Sequence, residues 1–375
     1  TAISRGQRIF ITAFFTVFPV YFARACQISA FNRNLPCLLF FLGLYLTIQS
    51  FNKKKTSLRI ISLATLMMSF FLYSLLTFYL VVLIYLIYQH LEKTKARPSL
   101  FSWLAYTDYL ALPLVFWTLR QIFFRPTGMF EESNHPSLAF LTWPNIWEAV
   151  HVNLIEVYQK YVFGTFAAHP WLVILLSVLI FAILNRVITG SSRRVSKSDV
   201  VFLGIGIIAF FAALLPYILI NKIPSNSGWL SRYQVLLPLG GGMITYYTCR
   251  IILCLVRAPR AAALAVFAIL LSTMIISHNR MYLALHRESL KHQALIEHFR
   301  DNEKIKNLTG EVFLVYDPHG AHSKILGLYV PFTWEYIGML KAAFSDTRRV
   351  ATSVLIPSPG ALLIDQSINW RFIFW

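Results

Sequence analysis

Long apolar runs separated by short polar, basic segments set the pattern of this chain. A helix needs about 20 apolar residues to cross a hydrocarbon core of about 30 Å. Runs of that order lie at 9–30, 36–51, 101–123, 170–189, 199–220, 234–256 and 261–277. One segment breaks the pattern. Residues 60–89, IISLATLMMSFFLYSLLTFYLVVLIYLIYQ, would make about 45 Å of straight helix, too long for one upright span and too short for two full ones. The pattern predicts a pair of short helices that enter and return, broken near Ser69 to Ser74, with one steeply tilted span as the alternative.

Beyond residue 278 the pattern changes. Residues 279–307 are charged and helix-compatible, EVFLVYD reads as a strand, PFTWEYIGMLKAAF as a helix, and VATSVLIP and ALLID as further strands. The predicted fold class is an all-α polytopic membrane protein with a small extracytoplasmic α/β C-terminal module. Residues 1–278 form the multi-spanning domain, with re-entrant helices and an outer loop at 124–169, and residues 279–375 form the module.

Composition supports this division, because 57% hydrophobic residues and a mean hydropathy of +0.59 exceed what a soluble core of this size can hide. A net charge of +18 would suggest nucleic acid in a soluble protein. Here the basic residues cluster between apolar runs, at Lys53 to Lys55 with Arg59, at Lys93, Lys95 and Arg97, at Arg193, Arg194 and Lys197, and at Arg250, Arg257 and Arg260. That is the distribution of cytoplasmic loops, so no nucleic-acid partner is expected and the lipid bilayer is. With residues 60–89 crossing an even number of times, 124–169, 221–233 and everything after about 278 face outward. Cys26, Cys37, Cys249 and Cys254 show no metal-binding spacing. The opening TAISRGQRIF has neither Met nor the pattern of a signal peptide, which suggests a processed or incomplete start.

Candidate chemistry lies on the predicted outer side. Glu131 and Glu132, in an irregular loop, are a pair that would ligate a divalent metal or serve as a base, or form a solvated acidic turn. From Pro144 a helix is expected along the outer surface, with Trp147, Val150, Leu154, Val157, Tyr158 and Tyr161 on its apolar face and His151 at the border, either an interfacial imidazole or a catalytic group. DPHGAH, Asp317 to His322, reads first as a turn, and Asn307-Leu308-Thr309 is a glycosylation sequon. Asp108, inside an apolar run, is expected to reach the interface or pair with Arg97, and Arg24 also falls inside a run.

The most polar segment between two runs is NKIPSNSGWLSRYQ, Asn221 to Gln234. Lys222 and Arg232 stand there on the side where basic residues are less expected, which points to an anionic ligand. Arg232 offers a planar fork to phosphate oxygens, Lys222 a mobile point charge, Trp229 an interfacial ring, and a helix starting near Ser231 would add its N–H groups. The plainer alternative is a headgroup anchor for the following span.

The stretch LLPYILINKIPSNSGWLSRYQVLLPLGGG, Leu214 to Gly242, and the Phe-Leu-Tyr-Ser break at 71–74 resemble polytopic GT-C glycosyltransferases, and the architecture matches over most of the chain. The resemblance implies transfer of a sugar from a polyprenyl-phosphate donor to an extracytoplasmic acceptor in a bacterial inner membrane. Lys222, Trp229, Ser231 and Arg232 would bind substrate, with Glu131, Glu132 or His151 as candidates for catalysis. In that class an acid in the first outer loop usually serves as base, whereas the corresponding AFNRNLP has none. The rival expectation is a non-catalytic membrane subunit that docks protein partners through the outer loop and the C-terminal module.

Overall fold

The computed structural model describes residues 4–20, 27–72, 75–93, 100–124, 137–188, 195–222, 231, 234–303, 312–316, 333–345 and 350–354. They divide into two compact units, Thr1–Met281 and Tyr282–Trp375.

The first unit is helical throughout its described residues. Its helices are α1 (Arg5–Val17), α2 (Gln27–Lys53), α3 (Thr56–Leu72), α4 (Leu80–Lys93), α5 (Thr107–Phe123), α6 (Trp143–Val150), α7 (Gly164–Ala168), α8 (Pro170–Val187), α9 (Lys197–Leu219), α10 (Leu237–Leu255) and the first part of α11 (Arg260–Asp301). Among the described residues, four helical stretches are long and apolar enough to cross a membrane, Asn34–Lys53, Pro170–Val187, Lys197–Leu219 and Arg260–Ala284. These match four of the runs in the sequence.

The other three runs are shortened for identifiable reasons. The run at 9–30 does not form one span, since α1 ends at Val17 and Phe18 turns extended (φ −60°, ψ 120°) ahead of Pro19, whose ring disfavours helix at the preceding residue. AFNRNLP, expected as a loop, is helical within α2, and the chain continues through Pro36. The run at 101–123 loses its first turns to a 3-10 stretch at Leu100–Tyr106, and α10 starts only at Leu237 and carries three glycines and Arg250.

Residues 60–89 form two helices, α3 and α4, with Thr77–Tyr79 as a 3-10 lead into the second. Ring contacts give their directions. Phe51 near the end of α2 meets Tyr85 of α4 and Tyr106, while the Arg59 guanidinium at the start of α3 lies 5.9 Å from the Phe51 ring. The start of α3 and the middle of α4 therefore lie at one level.

Three helices form the centre. Gly240, Gly241 and Gly242 let α1 and α9 lie against the backbone of α10. A Cβ on Gly240 would sit 2.5 Å from the Phe210 nitrogen, one on Gly241 2.5 Å from the Phe18 ring, and one on Gly242 3.0 Å from the Phe15 nitrogen. Small residues at such crossings are what helices need where burial from water supplies little attraction. Phe10, Phe14, Tyr246 and Phe267 of α11 fill the adjoining core with stacked and edge-on rings.

At the other end of these helices, a buried carboxylate ties three of them together. Ser196 caps α9, its hydroxyl accepting from the Asp199 N–H while the Asp199 carboxylate accepts from the Ser196 N–H. Asp199 Oδ1 also accepts from Arg250 Nε of α10 (2.9 Å) and Gln7 Nε2 of α1 (3.1 Å). Nearby, Arg260 donates to the carbonyls of Asn185 (3.1 Å) and Ile188 (2.5 Å), closing the end of α8. This end gathers Arg186, Lys197, Arg250, Arg257 and Arg260, which are scattered in sequence.

The second unit contains the rest of α11, strands β1 (Val312–Tyr316) and β2 (Val350–Val354), and the helix Thr333–Phe344 between them. The strands pair in parallel with Val312 opposite Val350, and Leu295 and Phe299 of α11 share a small core with Met339, Leu340 and Ala343. The expected strand ALLID, the sequon and DPHGAH lie outside the described residues.

Two tests follow from the centre of the first unit. Gly240→Ala should lower stability by about 1–3 kcal/mol through overpacking, whereas Gly204→Ala, where a Cβ meets nothing within 4 Å, should be neutral or stabilising. Thermal unfolding in detergent reads both. Asp199→Ala and Arg250→Ala should each cost about 3–5 kcal/mol, because Asp199 is fully buried and loss of either partner leaves a charge uncompensated. The double variant should cost less than the sum of the two in the same assay.

Candidate functional site

The region of greatest chemical interest is where the segment 137–168 meets the connection between α9 and α10. Its first residue is fastened to α9, for the Ser137 N–H donates to the Leu219 carbonyl at 2.8 Å. A 3-10 turn at Leu138–Phe140 follows, held by the Asn145 side-chain amide donating to the Phe140 carbonyl at 2.8 Å. Helix α6 then starts with Thr142 at its N-cap and Pro144 in its first turn, where the missing N–H costs nothing.

From His151 to Ile155 and from Val157 to Phe163 the helix is π-wound. The buried positions are Ala149, Asn153, Val157, Val162 and Thr165, and the step of five between Val157 and Val162 is the mark of the wider turn. The expected apolar face is largely kept, with Val157 buried and Val150, Leu154, Tyr158 and Tyr161 against the core. Trp147 departs from it and is half exposed, because the helix turns Ala149 and Asn153 to the inside instead.

Two polar pairs fasten this segment to the residues around the start of α10. Asn153 donates from Nδ2 to the Ala149 carbonyl (2.8 Å) and accepts on Oδ1 from Gln234 Nε2, with both side chains fully buried. The Tyr158 and Thr245 hydroxyls are hydrogen bonded, and the Thr245 hydroxyl donates to the Gly241 carbonyl at 2.7 Å, which leaves Tyr158 as the donor in the pair. Such groups must be paired once buried. On the outer side of the same segment, Glu156 lies 2.6 Å from Lys160 Nζ and 3.7 Å from His151 Nδ1.

The residues singled out in the sequence have unequal fates. Lys222 is exposed just past α9, its backbone N–H donating to the Tyr217 carbonyl (2.8 Å) after Asn221 takes a left-handed φ of 54°. Ser231 is fully buried, and His151 is partly exposed beside Glu156. Glu131, Glu132, Trp229 and Arg232 lie outside the described residues. The helix expected to begin near Ser231 begins at Leu237, with Pro238 in its first turn, so its N-terminal N–H groups belong to a later position in the chain. Among the described residues no three His, Cys, Asp or Glu side chains come together as a metal site.

Asp108 pairs with Arg59, and Arg97, named above as its partner, lies outside the described residues. Arg59 Nε and Nη2 donate to the two carboxylate oxygens at 2.6 and 2.5 Å, and Nη2 also reaches the Ala105 carbonyl. The Arg59 guanidinium lies 5.5 Å from the Tyr109 ring, and Tyr109 shares a hydrogen bond of 2.6 Å with Ser62. This is a bidentate structural clamp between α3 and α5. Asn153, Gln234 and Thr245 were not flagged by sequence pattern. The available signal was an amide four residues from each of two buried apolar positions, Ala149 and Val157.

Burial pushes the Tyr158 phenol well up and that of Tyr161 up to about 12. A phenol raised on folding contributes stability that is fully present below its unfolded value of about 10 and is lost as pH rises through the folded value. Unfolding free energy should therefore fall between about pH 10 and 12. Tyr158→Phe and Tyr161→Phe should flatten that alkaline limb, as read by denaturant titration at a series of pH values.

Comparison with known proteins finds no match to this chain among family models, curated proteins or solved structures.

Proposed function

We propose that the protein is a membrane glycosyltransferase of GT-C type, moving a sugar from a polyprenyl-phosphate donor to an acceptor on the outer side of a bacterial cytoplasmic membrane. The observation that carries this reading is the polar junction at the connection between α9 and α10. Exposed Lys222 follows α9, and buried Ser231 and the Gln234–Asn153 pair precede α10 beside a π-wound helix, a form of winding frequent at functional sites. In this reading the basic end lies in the cytoplasm, while this junction and a C-terminal α/β module built on the β1–helix–β2 unit lie outside.

The chemistry asks for cations where charge develops. As the acceptor oxygen bonds to the anomeric carbon and the bond from that carbon to the phosphate oxygen breaks, the leaving phosphate gains negative charge, which Lys222 and Arg232 of the same connection would offset. Trp229 offers a ring for the interface or the sugar. Glu131, Glu132 and His151 are the groups for removing the acceptor's proton, and the two carboxylates would also suit a divalent cation. Gln234 and Asn153 act by holding the junction rigid.

A second reading has its own support. Asp108 on α5 and Asp199 on α9 are committed to arginines, and Glu156 to Lys160. Acids bound in this way suit a non-catalytic membrane subunit that docks a partner protein.

The test uses the full chain in nanodiscs with a polyprenyl-phosphate-linked sugar. Lys222→Ala and Arg232→Ala should each reduce release of polyprenyl phosphate by about 100-fold, the scale of losing one donor to developing charge, with the unfolding temperature unchanged. Full turnover in both variants would remove the phosphate role. No turnover by the unaltered protein across donors, with co-purification of a stoichiometric partner, would establish the second reading.

A further inference from the structure

The segment 137–168 is bounded at both ends by the termini of candidate spans. Ser137 is hydrogen bonded to Leu219, the last residue of α9, and Ala168 is followed after His169 by Pro170, the first residue of α8. The opposite termini of these two helices lie at the basic end, where Arg260 closes α8 and Asp199 anchors α9. The residues beside Leu219 and Pro170 are thus at the level where two spans leave the hydrocarbon.

At that level the protein exposes large apolar rings and chains. Leu138 is 79% exposed, Trp143 73% and Trp171 82%, and Trp147 is half exposed. Water would make such a group costly, since each indole keeps a large apolar face outside the core. Indole suits the bilayer interface, where its ring is buried and its N–H stays wet. The lipid-facing side of α8 continues directly from Trp171 through Leu175 and Val178, both strongly exposed, so this patch adjoins a surface that already needs hydrocarbon.

We propose that Leu138, Trp143, Trp147 and Trp171 form a belt immersed in the interfacial layer of a phospholipid bilayer, holding the ends of α8 and α9 and the segment between them at headgroup depth. The belt requires no sugar chemistry. It places exposed Lys222, three residues beyond Leu219, at the level of lipid phosphates. The partner is the bilayer itself, and a protein covering the same patch is an outcome the experiment distinguishes.

The experiment places single nitroxide labels on the full chain in phosphatidylcholine nanodiscs, in a background with the four native cysteines replaced. Labels at Trp143→Cys, Trp147→Cys and Trp171→Cys are compared with Val178→Cys, in mid-span, and Lys55→Cys, exposed in the turn between α2 and α3. The ratio of oxygen to water-soluble nickel accessibility should fall between the two references at all three belt positions. A ratio equal to that of Lys55→Cys would overturn the belt, and shielding from both reagents would overturn it in favour of a covering protein. A second measurement needs no label. Brominated phosphatidylcholine should quench the native fluorescence, and W143F/W147F/W171F should remove more than a third of the quenchable signal, although it removes three of nine tryptophans. A loss of a third or less would count against immersion.

Discussion

The close approach of α1 and α9 to α10 across Gly240, Gly241 and Gly242 is the constraint on which the first unit rests. Within a bilayer, apolar side chains gain little by leaving lipid for one another, so helices associate through tight packing and a few internal polar bonds. The glycines supply the first by removing every side-chain atom from the seam. The second is supplied at a distance along the same helices by Asp199, Arg250 and Gln7. Glycine contact and buried ion pair thus fix the same three helices at two heights, which sets their rotation as well as their separation.

That rotation reaches the polar junction. Thr245 lies one helical turn beyond Gly241 and takes its carbonyl as acceptor, so the face of α10 offered to Tyr158 follows from the face committed to α1. Gln234, just before the same helix, meets Asn153 on the π-wound segment. The wider π turn has a clear use here, since a regular 3.6-residue repeat through Ala149, Asn153 and Val157 would carry Val162 to the opposite side, whereas Val162 and Thr165 are also buried. The winding is where sequence periodicity and tertiary contact disagree and contact wins.

Much of the architecture was legible in the apolar runs, because span length and charge clustering are read directly from composition along the chain. The break within residues 60–89 was visible too, as a length that fits neither one crossing nor two. What escaped was set by partners far apart in sequence. Arg59 and Asp108 are separated by 49 positions, and nothing local distinguishes Arg59 from the lysines beside it. Asn153 stands on a helix expected to lie along the outer surface, and its burial depends on Gln234, 81 positions away. The early end of α1 had a local sign, Pro19, that hydrophobicity outweighed in the reading of the run. Ser231, expected at the start of a helix in a substrate-binding loop, is fully buried ahead of a helix that begins at Leu237.

The Arg59–Asp108 clamp also carries a consequence for biosynthesis. The arginine is made first, and its carboxylate follows only after the whole of α3, α4 and the connection to α5 has been synthesised. During that interval a guanidinium on an apolar helix has no partner in α5, and its cost in hydrocarbon is several kcal/mol. The hairpin of α2 and α3 is therefore favoured to wait with Arg59 at the headgroup boundary until Asp108 arrives. The order of translation then favours α5 seating after α2 and α3 and locking Arg59 in place.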